Sequence, residues 1–219
     1  LCFMLIYVFM FGYVFKSKQQ YFAIFVFIGI TLWDFFNKSL IQSVKVIKAN
    51  KPIVSKVYIP KFILILVKMG VNGFKMFISL LIIVAMLIVW RVPVTYNVIY
   101  IIPILMTLVV LVFGCCCFLL HYGVFVEDLS NVLNIALRFL FYLTGIFWNI
   151  MDRLPSPYNY YIGRCNPIAF LLTSARDCVI YGSTPHRKLL LLWFVIGLII
   201  SALGVRKIYK NENSYVKVI

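Results

Sequence analysis

Read from its first residue to its last, the chain alternates apolar runs with short breaks rich in Lys, Pro, Gly or Asn. A helix crosses the hydrocarbon of a bilayer in about 20 largely apolar residues. On that measure the pattern predicts spans over about 1–15, 21–40, 71–90, 98–120, 132–150 and 189–205. The expected fold is an all-α polytopic membrane protein, one membrane domain over 1–219 with six spans. The first run is short for a span and reads as the remnant of a truncated helix. It is apolar from Leu1 onward and lacks the basic region and small-residue cleavage site of a signal peptide.

The breaks differ in character. Lys16-Ser17-Lys18-Gln19-Gln20 is a tight polar turn, whereas 45–61, KVIKANKPIVSKVYIPK, is a basic segment held between two apolar runs. Asp34 and Lys38, spaced i,i+4 just before it, can neutralise one another near the membrane boundary. The next run, 62–90, exceeds the length of a span. Counting back from Trp90 and Arg91 puts its inner edge near 71–74, with 60–70 in or under the interface and Lys75 snorkelling. Beyond the turn at 91–97, with Pro103 in an early turn of the fourth helix, a second inner loop over 121–131 carries Glu127 and Asp128. Arg138 can reach back to either carboxylate or snorkel to headgroups. The longest break is 151–188, punctuated by Pro155, Pro157, Pro167 and Pro185. Within it, 168–181 is too short, and too interrupted by Arg176 and Asp177, to span; it reads as an interfacial or re-entrant helix.

Composition agrees with a membrane protein: 64% hydrophobic and 12% charged residues, against about 25% charged in soluble proteins, and a mean hydropathy of +1.02. The net charge of +15 reads as topology rather than nucleic-acid binding, because the basic residues sit mostly beside apolar runs. Of 21 Lys and Arg, thirteen fall on the side of the 45–61 foot and the polar tail (Lys38, Lys45, Lys48, Lys51, Lys56, Lys61, Lys68, Lys75, Arg138, Arg206, Lys207, Lys210 and Lys217). The positive-inside rule places that side in the cytoplasm. Cys115, Cys116 and Cys117 point around one helix and cannot converge on a metal, while Cys165 and Cys178 share the long outer loop and leave a disulfide open.

Candidate chemistry is sparse. Gly70 and Gly73 precede Phe74-Lys75 without the spacing or hydroxyl of a phosphate-binding loop. His121 and His186 fall on opposite faces, and no nucleophile-base-acid set presents itself, so neither a catalytic nor a metal site is expected. Carboxylates are missing from mid-span positions, which disfavours ion coupling and leaves an external energy source or no transport. The 20 Phe and 14 Tyr suit lipid and helix packing. The functional alternative is a path on which sugar rings stack, lined by residues such as Tyr21, Phe25, Phe147 and Trp148.

The foot carries a resemblance. Residues 48–61, KANKPIVSKVYIPK, resemble the cytoplasmic segment after the second helix in type-2 ABC permeases that export polysaccharides, O-antigen or teichoic acids, with Ile59 where an aromatic is commoner. Further matches follow in order: Trp33-Asp34-Phe35-Phe36, the stretch 126–133 (VEDLSNVL), Leu143-Thr144-Gly145-Ile146-Phe147, and Asn166-Pro167 with Arg176 and Tyr181-Gly182. Glu127 stands where the family often has Arg, and Gly145 where it often has Pro. The resemblance implies a six-helix half-transporter of the bacterial cytoplasmic membrane that pairs with a second copy of itself and two copies of a separate ATPase. That ATPase would bind ATP and Mg; this chain would bind no cofactor. It further implies a coupling helix gripped by the ATPase through Asn50, Ile53, Lys56, Val57, Tyr58, Pro60 and Lys61, a second inner loop at Glu127 and Asp128, and an outer gate at Asn166, Pro167, Arg176 and Gly182. A lipid-linked glycan would pass outward.

Rival readings are a permease for a drug or another lipid, a membrane-embedded transferase, and an assembly subunit without a pathway. A transferase calls for paired carboxylates or a His-Asp set on one face, and only Glu127-Asp128 is present.

Overall fold

The computed structural model describes residues 21–54, 59–93, 95–148, 158–212 and 214–215. Among them the chain is helical and contains no strand. In order come α1 (Phe22–Ala49), the single turn α2 (Lys51–Val54), α3 (Lys61–Val89), a 3-10 turn (Tyr96–Tyr100) running into α4 (Ile101–Phe125), α5 (Leu129–Leu143), α6 (Tyr158–Cys165), α7 (Pro167–Val179) and α8 (Arg187–Lys210). Among the described residues, four helical stretches are long and apolar enough to cross a membrane: α1, α3, Tyr96–Phe125 and α8. The chain is a membrane protein. The expected first run, 1–15, lies outside the described residues, and α5 is a shorter apolar helix of 15 residues.

Several boundaries differ from the sequence reading. α1 continues past Leu40 to Ala49, because Leu40, Val44, Val46 and Ile47 keep a buried face in helical register beneath the exposed Lys45 and Lys48. Lys48 in the last turn suits the negative end of the helix dipole, and Asn50 Nδ2 donates to the Val46 carbonyl at 2.6 Å. α3 is one unbroken helix of 29 residues, about 43 Å long. Gly70 and Gly73 interrupt nothing, since a glycine costs a helix only about 1 kcal/mol and the apolar residues around them sustain it. α4 extends to Phe125, so His121 is helical rather than part of a loop, and the connection to α5 shrinks to Val126, Glu127 and Asp128. α5 then starts at Leu129, with the Asp128 carbonyl accepting from Val132 N at 3.1 Å, and stops at Leu143 instead of reaching 150.

The chain divides into two compact units whose boundaries fall within helices. The first comprises the described residues of Leu1–Asp34, Met76–Leu105 and Leu140–Leu190. Here α3 ends in a Schellman turn: Val92 N donates to Leu87 O at 3.1 Å and Arg91 N to Ile88 O at 3.1 Å, with Arg91 at φ 48 in the position glycine usually takes and Pro93 just beyond. The core of the unit is α7, a 13-residue helix with ten buried residues. At about 20 Å it is too short to cross, as its sequence implied, and its burial shows that protein encloses it.

The second unit comprises the described residues of Phe35–Lys75, Met106–Phe139 and Leu191–Ile219. Its helices approach at glycines. A Cβ on Gly114 of α4 would lie 2.9 Å from Ser201 N of α8, and one on Gly204 of α8 would lie 2.6 Å from Cys117 Cβ of α4. Ser201 Oγ donates across the same crossing to Val110 O at 2.9 Å. Small residues that admit a facing backbone, joined by hydroxyl bonds, are the usual means of packing helices in lipid. Between α1 and α3, buried Asn72 donates to Ser39 Oγ at 3.2 Å and to Gln42 Oε1 at 3.1 Å.

Replacing Gly114 by Val should force α4 and α8 apart and cost about 1–3 kcal/mol, as overpacking does. Thermal unfolding in detergent should show a lower midpoint, whereas Gly70→Ala, where nothing lies within 4 Å of the added carbon, should raise it slightly, since alanine is the better helix former.

Candidate functional site

Two groups of residues hold the chemistry, one in each unit. In the second unit, the basic end of α1 faces the turn between α4 and α5. Gly123 of α4 has no Cβ and therefore lies directly against the Val44 backbone. Beside that contact is a cavity of about 300 Å³ lined by Val44, Lys45, Lys48, Ala49, Gly123, Glu127 and Ser130. Lys45 and Lys48 are exposed, lie one helical turn apart and share the cavity wall with exposed Glu127. The site therefore combines two cations and one carboxylate above an apolar floor, an arrangement suited to a partner's acidic and apolar side chains.

The residues of the basic foot are placed unevenly. Asn50 caps the end of α1, Ile53 lies on α2, and the Pro60 carbonyl accepts from Ile63 N at 3.0 Å in the first turn of α3. Lys56, Val57 and Tyr58 lie outside the described residues. Lys61 is only 2% exposed, and its ammonium pairs with Glu212 of the C-terminal tail at 3.3 Å. It serves an internal contact. Glu127 and Asp128 are exposed, and no ion pair joins either of them to Arg138 among the described residues.

The tail makes a second contact. Tyr215 is fully buried, and its hydroxyl lies 2.8 Å from His121 Nδ1 near the end of α4. Burial pushes this phenol up to about 12, with the Glu212 charge acting in the same direction. The phenol therefore keeps its proton at neutral pH, and the two groups share one hydrogen bond.

In the first unit the central group is Arg176 of α7, 2% exposed. Its Nε donates to Phe25 O at 3.1 Å, Nη1 to Gly145 O at 2.9 Å and Nη2 to Ile146 O at 2.6 Å. The guanidinium also lies over the Phe25 ring at 3.5 Å and against Gly29, where any Cβ would collide with it. The cause lies in α5. That helix stops at Leu143, Gly145 turns the chain at φ 67, and the carbonyls freed there have no helical partner. A planar fork with several donors satisfies them as a single ammonium cannot.

The remaining outer residues support α7 and its exit. Asn166 caps the helix, its side chain accepting from Ile168 N at 3.1 Å and Ala169 N at 3.3 Å, and Pro167 occupies the first helical position. Gly182, at φ 64, accepts from Asn97 Nδ2 at 2.5 Å, and Thr95 opposite leaves no room for a side chain on it. Cys165 and Cys178 are both free thiols, so no disulfide joins them. Cys165 is exposed while Cys178 is buried in α7, where helix packing sets its direction.

The aromatic candidates differ in their surroundings. Phe25 is 1% exposed, with one ring face taken by Arg176. Tyr21 stands at φ 52 ahead of α1, Phe147 packs edge-on against Phe141 with centroids 5.5 Å apart, and Trp148 is half-buried.

With this geometry in place, comparison with known proteins shows what the chain is similar to. No family model matches it. Two curated proteins of Klebsiella pneumoniae, each named O-antigen export system permease protein RfbA, are 24% and 23% identical to it over 220 residues, covering 100% of this chain and 84% of each relative. The resemblance to exporter permeases is borne out. Both relatives are export permeases by name, and the likeness covers the whole of this chain.

Sequence reasoning located the foot, the Glu127 turn and the short outer helix, but it missed their internal ties. Nothing in a polar tail marks Tyr215 as buried or Glu212 as the partner of Lys61. Arg176 reads as an interruption until the carbonyls around it are seen.

Arg176→Lys should lower the unfolding midpoint, because at least one buried carbonyl then loses its donor at about 1–3 kcal/mol. Arg176→Ala should lower it further, as thermal unfolding in lipid nanodiscs would measure. Asp177 titrates in the opposite sense to a paired carboxylate: burial pushes it up to about 6, only partly offset by Arg176. The folded state therefore holds this proton more tightly than the unfolded one, and Asp177 costs stability as pH rises from about 4 through 6. Asp177→Asn should raise the midpoint at pH 7.5, and the gain should shrink as the pH falls below 6.

Proposed function

We propose that this chain is the membrane-spanning subunit of an ATP-driven exporter that moves a lipid-linked polysaccharide of the O-antigen or teichoic-acid type across a bacterial cytoplasmic membrane. The observation that carries the proposal is the full-length likeness to two O-antigen export permeases. In this reading the protein has six spans and works as a pair of identical copies with two copies of a separate ATPase, which binds ATP and Mg. The foot, the Glu127 turn and the tail face the cytoplasm, while α6, α7 and Gly182 form the outer gate.

The ATPase engages the cavity beside the foot. Lys45 and Lys48 offer exposed charge, Glu127 sets the register, and the apolar floor at Val44 and Gly123 accepts a side chain. Closure of the ATPase pair around ATP displaces this face and, through α1 and α4, opens a path for the glycan. Tyr21, Phe147 and Trp148 are candidates to line that path.

Co-purification with the ATPase encoded beside its gene tests the assignment. The wild-type chain should recover the ATPase, and Lys45→Glu/Lys48→Glu should lower that recovery at least tenfold, equivalent to about 1.4 kcal/mol. Folded yield should be unchanged, since both side chains are exposed. Equal recovery by the variant would remove the cavity from the interface. Failure of the well-folded wild-type chain to recover any ATPase would overturn the exporter reading.

A further inference from the structure

The C-terminal tail is built as a strap between two inner helix ends. We propose that Glu212 and Tyr215 are positioning residues for transport, tying the exit of the basic foot to the inner end of α4 so that the two move as one body. The inference rests on the exporter reading given above. Its geometry stands independently of that reading.

Each end of the strap is specific. Where the foot passes into α3, Lys61 is buried and paired with Glu212 at 3.3 Å, while the neighbouring Phe62 packs on Tyr209 at 5.7 Å between centroids. A cation at the first position of a helix opposes the helix dipole, and a buried one also loses hydration. An apolar residue would fill that space at lower cost. The pair therefore fixes position more than it adds stability, the role best attested for buried ionic groups. Three residues beyond Glu212, Tyr215 bonds His121 at 2.8 Å and packs against Phe125 at 6.1 Å. One turn before the strap, Lys207 donates to Tyr122 Oη at 2.7 Å and lies over that ring at 4.2 Å.

The strap thus holds α4 at the helix end that supplies Gly123 and Glu127 to the cavity beside the foot. A push delivered to the foot then reaches α4 through the tail as well as across the Val44–Gly123 contact.

The test uses the full chain in lipid nanodiscs with spin labels at Ile63 and Val126, both exposed, on a background with its exposed thiols replaced. The distance distribution between the labels should be narrow in the otherwise wild-type chain. It should at least double in width in Glu212→Lys and in Tyr215→Phe, the latter removing a hydroxyl and leaving the ring. The reversed pair Lys61→Glu/Glu212→Lys should restore the width. In cells, Glu212→Lys and Tyr215→Phe should lower polysaccharide at the surface about tenfold while ATPase recovery stays unchanged. Unaltered widths, or undiminished surface polysaccharide in both variants, would overturn the strap. Should the wild-type chain recover no ATPase, the exporter reading falls and the widths alone decide whether Glu212 and Tyr215 join the two ends.

Discussion

A helix that stops within apolar surroundings leaves carbonyl groups with nothing to bond. In the first unit α5 stops at Leu143 and the chain turns at Gly145, so the carbonyls of Gly145 and Ile146 need donors. Arg176 supplies them and takes the Phe25 carbonyl as well. Its surroundings follow from that need. Gly29 clears space for the guanidinium, the Phe25 ring lies beneath it, and the Asn166 cap starts α7 at the point that carries residue 176 to its partners. An arginine that reads as an interruption of an apolar helix is the group that allows the neighbouring helix to end.

The second unit meets a different demand with similar means. Its helices pack at glycines closely enough that backbone atoms are near neighbours, and hydroxyl and amide side chains bond across the crossings. Hydrophobicity alone gives one apolar helix little preference among partners in lipid. Close backbone approach and directed hydrogen bonds supply the preference. The Lys61–Glu212 pair and the Tyr215–His121 bond extend the same logic to the segments beyond the spans.

These features give the likeness to export permeases a physical setting. The basic foot offers exposed charge at Lys45 and Lys48 beside an apolar floor, while Lys61, equally basic in sequence, is turned inward. Charge that looked uniform along 45–61 is thus divided between a surface that can meet a partner and a contact that holds the segment in place.

The sequence by itself determined what length, apolarity and local chemistry decide: a helical membrane protein, a helix at 168–181 too short to span, the Asn166-Pro167 start of that helix and the basic foot. Each depends on neighbours within a few turns, and such signals survive in one dimension. Tertiary structure alone decided that α5 ends at Leu143, that Cys165 and Cys178 stay free, and that Arg176, Lys61 and Tyr215 are buried. Those outcomes depend on partners 30 to 151 residues away, such as Phe25 for Arg176 and Ile146 for the same side chain. A polar residue in an apolar chain announces that it needs a partner; only the fold decides which group meets the need.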